Sequence, residues 1–191
     1  MDEGIAYVRG DVITARAAGG CVGLSMICDR DEGRCIATSL WSTQQAMKSS
    51  EGVMAPSRQR SAEIFGGVTS VARWEIAVVH LWAPSDAGSS VRCTWLSMSA
   101  AAIGHAIETY RMATLPALEV MGGFRGASMM VDRQSGRVVS SVTFDSRDAM
   151  VASRLAAETV RSRTAEDVGA KVTDIHEFEL AIAHLYVPEM A

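Results

Sequence analysis

Gly19–Met47 reads GGCVGLSMICDRDEGRCIATSLWSTQQAM, and Gly122–Met150 reads GGFRGASMMVDRQSGRVVSSVTFDSRDAM. Laid over each other, Gly19/Gly122, Gly23/Gly126, Ser25/Ser128, Met26/Met129, Asp29/Asp132, Arg30/Arg133, Gly33/Gly136, Arg34/Arg137, Ala46/Ala149 and Met47/Met150 coincide at one constant offset. The register runs on through Arg58/Arg161, Arg60/Arg163, Ala62/Ala165, Glu63/Glu166 and Gly66/Gly169. After one inserted residue it continues through Glu75/Glu179, His80/His184 and Leu81/Leu185. The chain is a tandem duplication.

Within the repeated stretch, VGLSMIC and RCIATSLW predict two strands around the turn DRDEG, where Gly33 supplies the positive φ of a tight turn. Both faces of the first strand are small or apolar, so both should be covered. Ser42 is the expected cap of a helix running to Phe65, with Gly52 and Pro56 expected to break or kink it. In the second repeat Asp145 is the expected cap, with no proline behind it. Outward from this stretch, Ile5, Val8, Val12 and Ala15 stand at helical spacing before the Gly19-Gly20 exit. ARWEIAVVHLW alternates as a strand. VRCTWLSM predicts another strand, and Ser99 opens a helix to Glu119 with Ile103, Ile107, Tyr110, Thr114 and Leu118 on one stripe. The last strand, HEFELAIAHLYV, puts Phe178, Leu180, Ile182 and His184 on one face.

The order is strand, helix, strand, strand, helix, strand in the second half, and the same without its first strand in the first half. The expected fold class is α+β: two ferredoxin-like repeats packed sheet to sheet as an intramolecular barrel, the first repeat lacking its first strand. The expected domains are 1–82 (N-terminally incomplete), a linker 83–90 rich in Pro, Gly and Ser, and 91–191. A missing central strand exposes backbone groups beside Glu75–Leu81 and beside the first hairpin. Three expectations follow: Met1 is an internal start, another segment fills the slot, or a second chain does so as a homodimer through the incomplete first repeat.

With 48% hydrophobic and 21% charged residues the chain is globular rather than disordered. A net charge of −4 with dispersed basic residues gives no footprint for a nucleic-acid backbone. No apolar run reaches membrane-span length and the N-terminus lacks a signal peptide's pattern, so the expectation is a cytoplasmic protein with no membrane partner. Cys21, Cys28 and Cys35 face Phe124, Val131 and Val138 in the other repeat, which reads them as small hydrophobes. The four cysteines show no zinc spacing, and no metal or other cofactor is expected.

The doubled Gly-Gly-x-x-Gly-x-Ser entry, the hairpin Asp-Arg-x-x-Gly-Arg, the aromatic-x-Ser-x-x-Ala-Met run and the closing Glu-rich strand resemble the antibiotic-biosynthesis-monooxygenase-like domains of actinobacteria, in the dimeric α/β-barrel superfamily. The resemblance covers nearly the whole chain and implies a family homodimer fused into one polypeptide. It also implies a pocket chemistry of asparagine and tryptophan, with a second-helix histidine in haem-degrading members. This sequence has no asparagine. The second-helix tryptophan and histidine positions fall near Ser50 and Gln59 in one half and near Ser153 and Ser162 in the other, none of them an axial imidazole. Trp41 and Phe144 match the aromatic that ends the third strand in many members.

Four residues are the candidate ligand-binding set. His80 and His184 occupy equivalent strand positions, and read either as a base or ligand at a barrel mouth or as strand-end rings held by hydrogen bonds. His105 and Tyr110 lie on the helix over the complete half, where a tyrosine either holds a phenol or quinone or packs as core, as the matching Tyr7 also allows. Catalytic residues are not identified. Three functional readings stand: a monooxygenase-like enzyme on an apolar or aromatic substrate, with a pocket of a few hundred Å³; a non-catalytic binder of an apolar small molecule; and a structural or assembly module whose pocket is filled.

Overall fold

The computed structural model describes residues 1–11, 15, 17, 19–83, 85 and 87–185, with the side chains of residues 184 and 185 excluded. Two compact units result: Met1–Val71 with Leu180–Ala191, and Ala72–Glu179.

In the first unit, α1 (Asp2–Gly10) precedes the hairpin β1 (Cys21–Asp29) and β2 (Arg34–Trp41), followed by α2 (Gln44–Ser49) and α3 (Glu51–Phe65). Residues from Leu180 onward in β7 (Lys171–Leu185) lie beside β1, so the strand order is β2-β1-β7. Its core joins Ile5 and Val8 of α1 to Leu24, Met26 and Cys28 of β1 and to Ala181 and Ile182. The helical stripe expected from Ile5 and Val8 is present, and α1 ends at Gly10; Val12 lies outside the described residues. Cys28 and Cys35 stand opposite each other in the hairpin register, and all four cysteines are free thiols.

The second unit holds β3 (Glu75–Leu81), β4 (Ser90–Ser97), α4 (Ile103–Thr109), a π-helical turn (Tyr110–Thr114), α5 (Leu115–Glu119), β5 (Phe124–Asp132), β6 (Arg137–Phe144), α6 (Arg147–Ala152) and α7 (Arg154–Asp167), with β7 up to Glu179. From β4 onward this is βαββαβ in the ferredoxin-like order β7-β4-β6-β5, and β3 joins at the edge against β5. The α+β class and ferredoxin-like build expected from the duplication are thus present. As the last strand of the first repeat, β3 lies in the second unit, and Ile76, Val79 and Leu81 are exposed along it. Among the described residues β5 is its one strand partner, as the missing-strand argument expects for this edge.

Both hairpin turns form as the repeat requires. Asp29 Oδ1 accepts from the backbone N–H of Asp31 and Glu32, and Asp132 Oδ1 from that of Gln134 and Ser135. The helix caps sit one residue beyond the expected Ser42 and Asp145. Thr43 Oγ1 accepts from Ala46 N at 3.0 Å and Ser146 Oγ from Ala149 N at 3.2 Å. Thr43 and Ser146 are the residues with extended backbone immediately before the first helical turn, so their hydroxyls reach the free N–H groups. Pro56 does not break its helix; α3 runs through it. The interruption comes at Ser50, and at the equivalent Ser153 in the repeat that has no proline. In both, the buried hydroxyl donates back to the carbonyl three residues earlier, Met47 O at 2.8 Å and Met150 O at 2.7 Å. Local back-bonding by serine competes with the helix ladder and bends it there.

Candidate functional site

The second unit holds a partly open cavity of about 70 Å³ between its helices and its sheet. Strand periodicity supplies one wall. Arg92, Thr94 and Leu96 are alternate residues of β4, Val138, Ser140, Val142 and Phe144 alternate residues of β6, and Met129 comes from β5. The facing wall is Ala106, Tyr110, Thr114 and Leu118, each four residues from the last, with Ala157, Val160, Arg161, Thr164 and Val168 from α7 and the residue after it.

A straight α-helix of 3.6 residues per turn rotates residues four apart by about 40° per step, so four such positions would drift off a common line. The π turn at Tyr110–Thr114 widens the helix between the second and third of them and keeps all four toward the cavity. Its cause is legible in the sequence. Pro116 has no N–H to return to Met112, and its ring crowds that carbonyl, so the turn before it opens. A continuous helix to Glu119 was expected from the apolar stripe alone, and Pro116 is the signal that stripe passes over.

Tyr110 is 3% exposed. Its hydroxyl accepts from Ser140 Oγ at 3.2 Å and donates to the Ser128 carbonyl at 3.4 Å. Burial pushes the phenol up to about 12, with the Ser140 hydrogen bond opposing in part. It is therefore a neutral donor near neutrality, not a base. Thr114 and Thr164 join the two helical walls through a hydroxyl pair at 2.8 Å.

Arg92, also 5% exposed, is a buried cation with its donors matched. Nε and Nη2 reach Glu177 Oε1, Nη1 reaches Ser153 Oγ, Nη2 also reaches Met150 O, and the guanidinium lies 5.6 Å from the Phe144 ring centre. Arg154 clamps the same carboxylate, and its hydrogen bond is the main reason Glu177 is held below the usual glutamate value. Arg161, the second cation of the lining, is half-buried. Desolvation and the nearby Arg92 charge lower its pKa, though a guanidinium stays protonated. The sequence reading passed over Arg92 and Glu177. The available signal was a lone arginine in the otherwise uncharged strand segment VRCTWLSM, with a glutamate on the strand expected beside it.

Of the candidate residues whose side chains are described, Tyr110 lines this cavity and His80 and His105 do not. His80, on β3, stacks on Phe124 at 6.3 Å and lies 6.1 Å from Trp82. Its buried Nε2 stands 2.9 Å from Glu119 Oε1, but the approach does not align as a hydrogen bond. His105 is exposed on α4, 3.6 Å from Asp167. The side chain of His184 falls outside the described residues. The tryptophan position of the haem pattern, Ser153, is tied to Met150 and Arg92, and its histidine position is the exposed Ser162. These residues do not fit a haem ligand set.

No family model matches the chain. The uncharacterized protein Rv2558 of Mycobacterium tuberculosis is 48% identical over 192 residues, spanning 100% of this chain and 81% of that protein. An anthrone oxidase-like protein of known structure superposes with a TM-score of 0.67 at 13% identity, over 100% of this chain and 91% of its own. A ferredoxin-fold protein related to antibiotic biosynthesis monooxygenases, from Listeria monocytogenes, superposes at 0.51 and 9% identity, over 92% and 88%. At such identities the two structures carry the fold alone. Among the described residues no helix is long and apolar enough to cross a membrane. The chain belongs to the family of Mycobacterium tuberculosis Rv2558, built on the ferredoxin-like, dimeric α/β-barrel fold of the antibiotic-biosynthesis-monooxygenase type.

Proposed function

We propose that the second unit is a binding module for a small apolar molecule, held in the cavity under the π turn. The observation that carries this reading is the convergence of an apolar lining with a few placed polar groups, Tyr110, Ser140 and the Thr114–Thr164 pair, beneath a π-helical turn. Apolar walls with sparse polar groups are the usual composition of ligand sites, and π turns gather at functional positions.

The volume argues for a small ligand. About 70 Å³ is well under the roughly 150 Å³ of a cavity that takes benzene, and under the few hundred Å³ expected from the sequence. A fused aromatic such as an anthrone, suggested by the name of one structural neighbour, needs the walls to move apart. Tyr110 also stays protonated at neutral pH, which weakens a role as the base that starts an oxidation. Binding without catalysis is therefore the reading favoured over a monooxygenase-like reaction.

The test is amide NMR of the full chain titrated with short aliphatic compounds, beside Ala157→Leu, which fills the cavity from α7. Saturable shifts centred on Tyr110, Ser140 and Thr164 and lost in the variant support binding. Shifts that are absent, or unchanged by Ala157→Leu, remove it and leave a filled structural core.

A further inference from the structure

Resting on that binding reading, we propose that the cavity is selective for an apolar monocarboxylate whose carboxylate pairs with Arg161 and whose short tail lies among the apolar walls. The lining contains two arginines and no aspartate or glutamate. Arg92 is matched by Glu177, Ser153 and Met150. Arg161 has no ion pair or hydrogen bond among the described residues; the nearest acidic influence is Glu158, on the exposed side of the same helix. A partly desolvated guanidinium at an otherwise apolar cavity lacks the anion that normally accompanies it.

The duplication shows what the usual arrangement is. Arg58 is the first-repeat counterpart of Arg161, and it is ion-paired with Glu51 two turns earlier on α3. The second-repeat counterpart of Glu51 is Arg154, which turns to Glu177 instead. One repeat thus supplies its own carboxylate to this arginine. The other has replaced it with a cation and left the position for an anion from outside.

The surroundings specify the rest of the ligand. Thr164 lies one turn from Arg161 and lines the same cavity. In the Thr114–Thr164 pair one hydroxyl donates to the other, so the acceptor's own proton is available to a carboxylate oxygen. Elsewhere the lining is mostly apolar, with Leu96, Leu118, Met129, Val138 and Val142 among it, and has space for a short chain rather than a fused ring system.

The experiment compares propionate with its neutral isostere propanamide on the full chain, by amide NMR titration. The measurements are repeated on Arg161→Gln, Arg161→Lys and Ala157→Leu, with folding checked by circular dichroism. The expected result is propionate binding at least tenfold tighter than propanamide, the preference abolished by Arg161→Gln and kept in part by Arg161→Lys. Equal affinity for the acid and the amide, or a preference that survives Arg161→Gln, overturns the carboxylate assignment while the cavity still binds. Failure of both compounds to shift any cavity residue, with Ala157→Leu indistinguishable, overturns the binding reading itself.

Discussion

Arg92 and Glu177 face each other directly across the β4–β7 ladder, and Glu177 Oε1 receives both Nε and Nη2 of Arg92, at 3.1 and 2.9 Å. A guanidinium this deep is tolerated because its donors are matched, and the carboxylate is the only anion among its partners. Glu177→Gln keeps the shape and removes the charge. It should cost about 1–3 kcal/mol, below the roughly 3–5 kcal/mol of a fully buried pair that is broken, because Ser153 and Met150 still hold Arg92 and Glu177 is partly exposed. Denaturant unfolding at pH 7 measures it. Glu177 is depressed below its ordinary 4.5, so its contribution is present above that value and is lost as pH falls through the folded value. The gap between wild type and variant should therefore close in acid, and a gap unchanged from pH 7 down to strong acid would show that charge is not what the pair supplies.

Tyr110 makes the opposite pH prediction. Its phenol is raised from about 10 to about 12 by burial, so the unfolded chain ionises first as pH climbs. Stability tied to the neutral phenol is intact below pH 10 and falls between 10 and 12. Ultraviolet titration should show a late phenol transition, and it should vanish in Tyr110→Phe. That variant loses the Ser140 and Ser128 hydrogen bonds and should cost about 1–2 kcal/mol, since Ser140 is left without its acceptor.

Ser50 and Ser153 are equivalent in the repeat, both buried, and both bond back to a methionine carbonyl. Only Ser153 also accepts from Arg92. Ser153→Ala should therefore cost about 1–2 kcal/mol and Ser50→Ala less than about 1 kcal/mol, measured as paired thermal unfolding shifts. Equal shifts would mean that the helix break, rather than the buried arginine, sets the value of the hydroxyl.

The duplication made the fold legible, because a constant offset carries turns, glycines and strand faces from one half to the other. Asp29/Asp132 and Gly33/Gly136 could be placed without coordinates for that reason. The site was far less legible. Tyr110 belonged to the apolar stripe and the lining followed from it, but Arg92 sits on the one strand that the first repeat lacks, so no counterpart drew attention to it. Caps shifted by one residue because a side chain's capping depends on where the backbone leaves its extended conformation, and Ser42 and Thr43 are both competent by type. The helix breaks at Ser50 rather than at Gly52 or Pro56, the two residues that propensity points to. The second repeat, which bends at Ser153 with no proline, shows that back-bonding decides.

Gly33 and Gly136 close equivalent hairpins with φ of +68° and +72°, yet their surroundings differ. A Cβ at Gly33 would meet nothing within 4 Å, whereas one at Gly136 would lie 2.0 Å from the Met98 carbonyl oxygen. Met98 N–H also donates to Gly136 O at 2.9 Å, so the turn is fastened to the chain just after β4, beside the cavity-lining Leu96 and Met98. Gly33→Ala should cost only the left-handed backbone penalty, about 1–2 kcal/mol. Gly136→Ala adds a collision with backbone that has no flexible end to yield, and should cost at least about 2 kcal/mol more. Because the displaced carbonyl belongs to a lining residue, Gly136→Ala should also shift the amide resonances of Leu96, Ser140 and Tyr110, and Gly33→Ala should leave them in place. Matching stability losses and silent cavity resonances in both variants would mean the β4 end yields freely, and that the turn does not help to position the cavity wall.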